Sequence, residues 1–267
     1  MNKTEKNNHF LFKKKENQLA PINLVDRALE ELAIRTTAGE TKLRKAKLKL
    51  LCSSLLENNN KSYKIVNILL KKGISIIDLF ETYFPEAAKL LGEDWLEDRL
   101  TFAQVTIAMA KLQSLTRYYE SSYCTELSYN INQPEILLIV PIGESHTFGA
   151  QMAYRKFKRL GTSPYLAIGY NPKELKDLIT THKFGLIGMS VGDCVNKKNC
   201  INLLKDLRSI TKDTTPIILG GSVIESNKSF SKELEVDFVS NNPIQSLDHF
   251  QIRVKEQANL KTSSENI

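Results

Sequence analysis

Glu144, His146 and Gly149 stand two and three residues apart in the stretch Glu144-Ser145-His146-Thr147-Phe148-Gly149. An imidazole is a good donor to a transition metal, and it works best when its second ring nitrogen is held by a hydrogen bond. A carboxylate two residues earlier in the chain is placed to supply that bond. A plainer role is also open to each residue. Glu144 can act as an anion near the N-terminus of the next helix, and a lone histidine in such a loop can simply start that helix. The two roles of Glu144 are compatible.

Two further short stretches are rich in small residues: Met189-Ser190-Val191-Gly192-Asp193 and Gly220-Gly221-Ser222. Taken alone each reads as a turn. Together with Gly149 they would let a large planar or nucleotide-like ligand approach the backbone closely. What brings them together must be the fold. The histidine loop follows Ile136-Leu137-Leu138-Ile139-Val140, an apolar run expected of a fully buried parallel strand. An amphipathic helix is expected after it, over Gly149–Leu160.

The same alternation continues to the C-terminus. Strands are expected over Ile136–Pro141, Tyr165–Ile168, Leu186–Ser190, Pro216–Leu219 and Val236–Val239. Helices are expected over Pro172–His182, Asn196–Ile210, Val223–Ser231 and Ile244–Val254. Short crossovers between strands define an α/β fold, with a five-stranded parallel sheet covered on both faces. The size fits a flavodoxin-like order 2-1-3-4-5, whose ligand crevice opens at the carboxyl ends of strands 1 and 3. All three small-residue stretches leave that edge.

Residues before the sheet read differently. From Asn23 to Tyr119 nothing alternates with period two, and helices are expected over Leu24–Thr36, Thr41–Glu57, Ser62–Lys72, Ser75–Leu79, Pro85–Leu91 and Thr101–Tyr119. The last carries Val105, Ala108, Met109, Leu112 and Leu115 on one face, and Thr101 with Gln104 has the spacing of a capping box. The expected division is a disordered basic tail over 1–22, a helical bundle over 23–120, a linker over 121–134, the sheet domain over 135–256 and a tail over 257–267.

Composition bounds the function. The 267 residues carry a net charge of +7, concentrated in Lys13-Lys14-Lys15 and in Lys42, Arg44, Lys45, Lys47 and Lys49. Clustered lysines can meet phosphates, but no helix-turn-helix, zinc finger or interleaved aromatic accompanies them, so direct DNA binding is unsupported. A solvated helix face is the simpler reading. No apolar run approaches the ~18 residues of a membrane span. The polar start, and four cysteines without a CxxC pair, suggest a reduced cytoplasmic chain rather than a secreted or zinc-binding one.

The combined pattern resembles the cobalamin-binding domains. Glu144-x-His146-x-x-Gly149, 40 residues, Ser190-Val191-Gly192, 27 residues and Gly220-Gly221 follow that family's motif in order and spacing. The family's usual aspartate is here Glu144. The resemblance implies that Glu144, Ser145, His146, Thr147, Phe148, Gly149, Ser190, Val191, Gly192, Gly220 and Gly221 bind the cofactor. His146 would be the lower cobalt ligand in place of the cofactor's own dimethylbenzimidazole, whose nucleotide tail would thread past Ser190 and Gly220-Gly221.

The helical part resembles the four-helix cap that covers the corrin in that family, which places Trp95, Phe102 and Val105 over its upper face. Cobalamin-dependent light-sensing repressors carry Glu-His after this tryptophan and nine intervening residues, where Val105-Thr106 stands here. The wording Asp94-Trp95 through Asp98-Arg99-Leu100-Thr101-Phe102 and Val105-Thr106, with the Pro141-x-Gly143-Glu144 form of the histidine loop, is instead similar to the PpaA/AerR-type antirepressors of photosynthesis genes. That resemblance implies a light or redox sensor, not an enzyme, whose partner is a transcriptional repressor. The lysine-rich helix over 42–49 is a candidate part of the partner surface. Three readings stand beside it: a corrinoid methyl carrier for a methyltransferase, a haem-binding sensor on the same fold, and a vestigial site. Oligomeric state and upper cobalt ligand are not legible.

Overall fold

The computed structural model describes residues 37–57, 60–124, 133–192, 197–212, 214–226 and 234–252. The expected tails over 1–22 and 257–267, the helix Leu24–Thr36 and most of the linker lie outside the described residues.

The described residues open with helices α1 (Thr37–Leu56), α2 (Lys61–Lys71) and α3 (Ile76–Asp78). A π-helical turn, Leu79–Tyr83, then leads into α4 (Phe84–Leu96), followed by α5 (Phe102–Tyr118) and the short α6 (Glu120–Tyr123). The capping box at the head of α5 is formed: Thr101 Oγ1 accepts from Gln104 N, and Gln104 Oε1 accepts from Thr101 N at 2.8 Å. Leu51, Leu55, Leu69, Leu91, Leu112 and Leu115 are completely buried between α1, α2, α4 and α5. On the outside of α1, Lys42, Lys45 and Lys49 face solvent.

Two differences from expectation arise here. The helix does not break before Pro85. A proline lacks the N–H that an α-helix needs and crowds the preceding turn. The chain accommodates it with the wider π turn, in which Phe84 N donates to Leu79 O. The segment from Ser121, expected to begin a linker, first completes α6, with Tyr123 buried and stacked on Phe80 at 4.1 Å.

The sheet half follows as β1 (Glu135–Val140), α7 (Phe148–Arg159), β2 (Ser163–Ile168), α8 (Pro172–Thr181), β3 (Phe184–Ser190), α9 (Lys197–Thr211), β4 (Ile217–Gly220), α10 (Val223–Ser226), β5 (Phe238–Val239) and α11 (Pro243–His249). All strand pairs are parallel and the order is β2-β1-β3-β4-β5. The register aligns Ile139 with Ala167 and Met189, and Ser190 with Gly220. The carboxyl ends of β1, β3 and β4 therefore form one rim. Among the described residues no helix is long and apolar enough to cross a membrane.

Helix α7 serves both halves. Phe148 and Met152 join the core of the helical bundle, whereas Phe157 packs with Ile136, Leu138 and Leu186 of the sheet.

Candidate functional site

Beyond Val140 the chain turns at Gly143, whose φ is +86°, and Glu144 N donates to Pro141 O at 3.1 Å. This turn folds the Glu144 side chain inward, to 1% exposure. There Oε1 accepts the backbone N–H of His146 at 2.6 Å and faces His146 Nδ1 at 2.8 Å. The other oxygen, Oε2, accepts Gly192 N–H at 2.6 Å. Burial pushes this carboxyl up, but the two backbone donors and then the imidazole outweigh it, so the group lies below the ordinary carboxylate range. A charged carboxylate only accepts, so Nδ1 is the ring nitrogen that donates to it, and Nε2 is the one left for another partner. The His146 side chain itself is 60% exposed. The longer glutamate arm therefore closes the relay.

That imidazole lies on the wall of a cavity of about 950 Å³ between the helical bundle and the rim of the sheet, at the upper end of the size range of small-molecule sites. Ser145, Thr147, Phe148 and Gly149 line the same space, as do Ser190, Gly220 and Gly221 from the sheet. From the bundle come Trp95, Phe102 and Val105. Trp95 and Phe102 tilt against each other at 6.1 Å between ring centroids. Thr106 also lines the cavity, its hydroxyl tied to Phe102 O at 2.7 Å.

Three of the expected contact residues do not reach the cavity. Val191 is buried in the sheet core, and Gly192 and Glu144 lie behind the imidazole loop. Their work is support. The glycines also divide by purpose. A Cβ on Gly192 would come within 2.6 Å of Glu144 Oε2. Gly221 has φ +103°, and its Cβ would meet Val191 O at 2.2 Å. Both are required by the chain's own packing, whether or not a ligand approaches the rim. Gly149 differs: a Cβ there meets nothing within 4 Å. The fold does not need a glycine at that point, and the cavity gains the space.

Sequence reasoning missed Asn241, in the loop after β5. Its Oδ1 accepts Gly221 N–H at 2.7 Å and its Nδ2 donates to Gly221 O at 3.2 Å, a two-point clamp on the glycine turn. Its signal was positional, since it follows a strand just as the three recognised stretches do. Also missed were Glu81 and Lys156, which meet at 3.1 Å on the cavity wall.

The donor set limits what metal could sit here. Among the described residues no group of three or more His, Cys, Asp or Glu is arranged to hold an ion. Cys200 is no thiolate, because burial and then the charge of Glu144 push its thiol up to about 11. Among the described residues a metal at His146 would thus find no protein donor set of three and would bring most of its donors with it, as a metal in a planar macrocycle does. The residues present fit such a group.

A parallel five-stranded sheet with a ligand crevice roofed by helices is the class that fold and site define. No protein-family model matches the chain. The chain belongs to the family of the uncharacterized 20.5 kDa protein in the bchF-crtJ intergenic region of Rhodobacter capsulatus, with 31% identity over 168 residues, 63% of this chain and 88% of that relative. Among solved structures, the monomethylamine corrinoid protein of Methanosarcina barkeri shares the fold, with a TM-score of 0.62 at 12% identity over 76% of this chain and 96% of that one.

Proposed function

We propose that the chain binds a cobalamin in this cavity and acts in the cytoplasm as a light- or redox-responsive regulator that relieves a transcriptional repressor, without catalysing a reaction itself. The observation that carries the reading is His146, with Nδ1 held by a buried carboxylate and its ring on the cavity wall, where the described residues offer no cluster of three or more metal-ligating side chains. Glu144 fixes the tautomer and orients the ring. Gly149 leaves open space beside it, and Ser190, Gly220 and Gly221 leave the rim low enough for a nucleotide-like tail. When bound, a cobalamin supplies a cobalt whose upper ligand changes with light or redox state.

The residues that would register such a change are on the bundle. Trp95 and Phe102 are 41% and 69% exposed at the cavity, so their rings can adjust without opening a core. A ligand-driven switch requires the two ligand states to interact differently with two protein arrangements. The regulatory half of the proposal is supported by the motif wording of α4, α5 and the histidine loop. The genomic address in the relative's name accords with it.

Reconstitution with hydroxo-, methyl- and adenosylcobalamin, each in darkness and after illumination, tests the reading. Binding with a nitrogen-ligated spectrum that His146→Ala abolishes is the expected result, together with light-dependent association with a repressor. A haem Soret band near ~400 nm that survives added cobalamin would favour iron instead. Methyl transfer to a methyltransferase partner would favour the carrier reading.

A further inference from the structure

Glu81 stands where three features of the fold meet. It belongs to the π turn that Pro85 imposes, it lines the cavity, and it joins the bundle to α7. Its Oε2 pairs with Lys156 at 3.1 Å, while Oε1 takes Arg159 at 2.5 Å and the Tyr123 hydroxyl at 3.1 Å. The Arg159 guanidinium lies over the Tyr123 ring, 5.2 Å from its centroid. Tyr123 in turn stacks on Phe80, the neighbour of Glu81. Side chains of Glu81, Lys156 and Arg159 are 19–23% exposed, so solvent screens this cluster much less than an ordinary surface pair.

A second ionic contact, Glu120 with Arg155 at 3.0 Å and Lys158 at 3.4 Å, also ties the bundle to α7, but its residues do not line the cavity. The two clasps thus perform the same docking, and only one of them touches the space where a ligand would sit. Helix α7 starts directly after the loop that carries His146, so a shift of α7 against the bundle moves the foot of the imidazole loop. Nor is the Glu81 clasp tuned for static stability. Arg159 Nε is buried with no hydrogen-bond partner, and an orphaned buried donor is costly.

The geometry points to Glu81 as a positioning residue that couples occupancy of the cavity to the docking of the helical bundle on α7. This rests on the reading of the cavity as a ligand site. Through Lys156, Glu81 sets the distance between the bundle wall and the imidazole, and a ligand pressing on that wall loads or releases the clasp.

The test compares Glu81→Gln with Glu120→Gln in the full chain. Amide hydrogen exchange on the ligand-free protein is expected to rise about fivefold or more in 79–84 and 152–159 for Glu81→Gln. Titration with hydroxocobalamin is expected to show about fivefold to tenfold weaker binding for Glu81→Gln, with the nitrogen-ligated spectrum unmoved because His146 is intact. Glu120→Gln should raise exchange in α6 and α7 while leaving that affinity unchanged. Lys156→Gln should reproduce Glu81→Gln, which guards against a folding defect peculiar to one variant. Unaltered exchange in Glu81→Gln, or equal affinity losses in the two glutamate variants, would overturn the assignment. If the wild-type chain takes up no hydroxocobalamin at all, the cofactor reading fails, and exchange in 79–84 alone decides whether Glu81 docks the bundle.

Discussion

On the sheet side of the cavity, Gly192 and Gly221 sit where a Cβ would come within 2.6 Å of Glu144 and 2.2 Å of Val191. On the helical side, Trp95 and Phe102 present rings that are 41% and 69% exposed and meet each other at 6.1 Å. One wall is fixed by backbone, by Asn241 clamping Gly221 and by a carboxylate holding three N–H groups. The other is made of side chains with room to turn, held to the sheet half through α7 by ion pairs and by Phe148 and Met152. The difference assigns roles: a preset rim can hold a ligand in one geometry, while an adjustable wall can report what that ligand is doing.

The largest way to break this contrast is at Gly221. Replacing it with alanine puts a side chain at φ +103° and against Val191 O. Strain and overpacking together should cost about 3 kcal/mol or more, lowering Tm by at least about 6 °C in a thermal melt. An unchanged Tm would mean that the rim is not preset. Glu144→Gln comes next. It keeps an acceptor but exchanges the charge that holds Gly192 N–H and orients His146. A loss of about 1–3 kcal/mol in urea unfolding is expected, with metal-centre affinity reduced about 10- to 100-fold. His146→Ala, by contrast, removes an exposed ring and should alter stability by no more than about 0.5 kcal/mol, although it removes the axial nitrogen.

Why these residues differ in how readily they are seen in sequence follows from their separation along the chain. The strands and their order were legible because Ile136 to Val140 form an unbroken apolar run and short crossovers permit few topologies. The Glu144–His146 relay was legible because its partners are two residues apart. Gly192 was legible as a small residue, but its reason was not, since the oxygen it avoids belongs to Glu144, 48 positions away. Glu81 and Arg159 are 78 apart, and no local pattern pairs them. The π turn was missed for a different reason. Pro85 reads as the start of a new helix after a break, and only tertiary packing of Phe80 and Phe84 makes a continuous, widened helix the better solution.

The clasp between the walls yields a smaller effect that depends on pH. Burial raises the Glu81 carboxyl, but Lys156 and Arg159 more than reverse this and hold it below the ordinary carboxylate range. A carboxyl lowered in the folded state contributes stability that is fully present above its unfolded value of about 4.3. That contribution is lost as pH falls through the lower folded value. Urea unfolding of the wild type and Glu81→Gln should therefore differ at about pH 6 and converge towards about pH 3. A difference that persists at the acid end would remove the ion pairs from the account and leave only packing.

The smallest expected effect sharpens the comparison most directly. Trp95→Phe and Phe102→Leu change rings that lie outside the buried core, so neither should move the unfolding free energy by more than about 0.5 kcal/mol. If the helical wall is an adjustable reporter, the same substitutions should still shift the absorption of bound cobalamin or its response to illumination, because both rings line the cavity. The His146-dependent feature should stay in place, since it belongs to the opposite wall. Trp95 also offers a direct signal. It is the chain's single tryptophan, so its fluorescence reports on this wall alone, and quenching on addition of cobalamin should persist in His146→Ala wherever binding itself persists. Fluorescence indifferent to saturating cobalamin would place the ligand away from the helices, and the two walls would then no longer enclose one site.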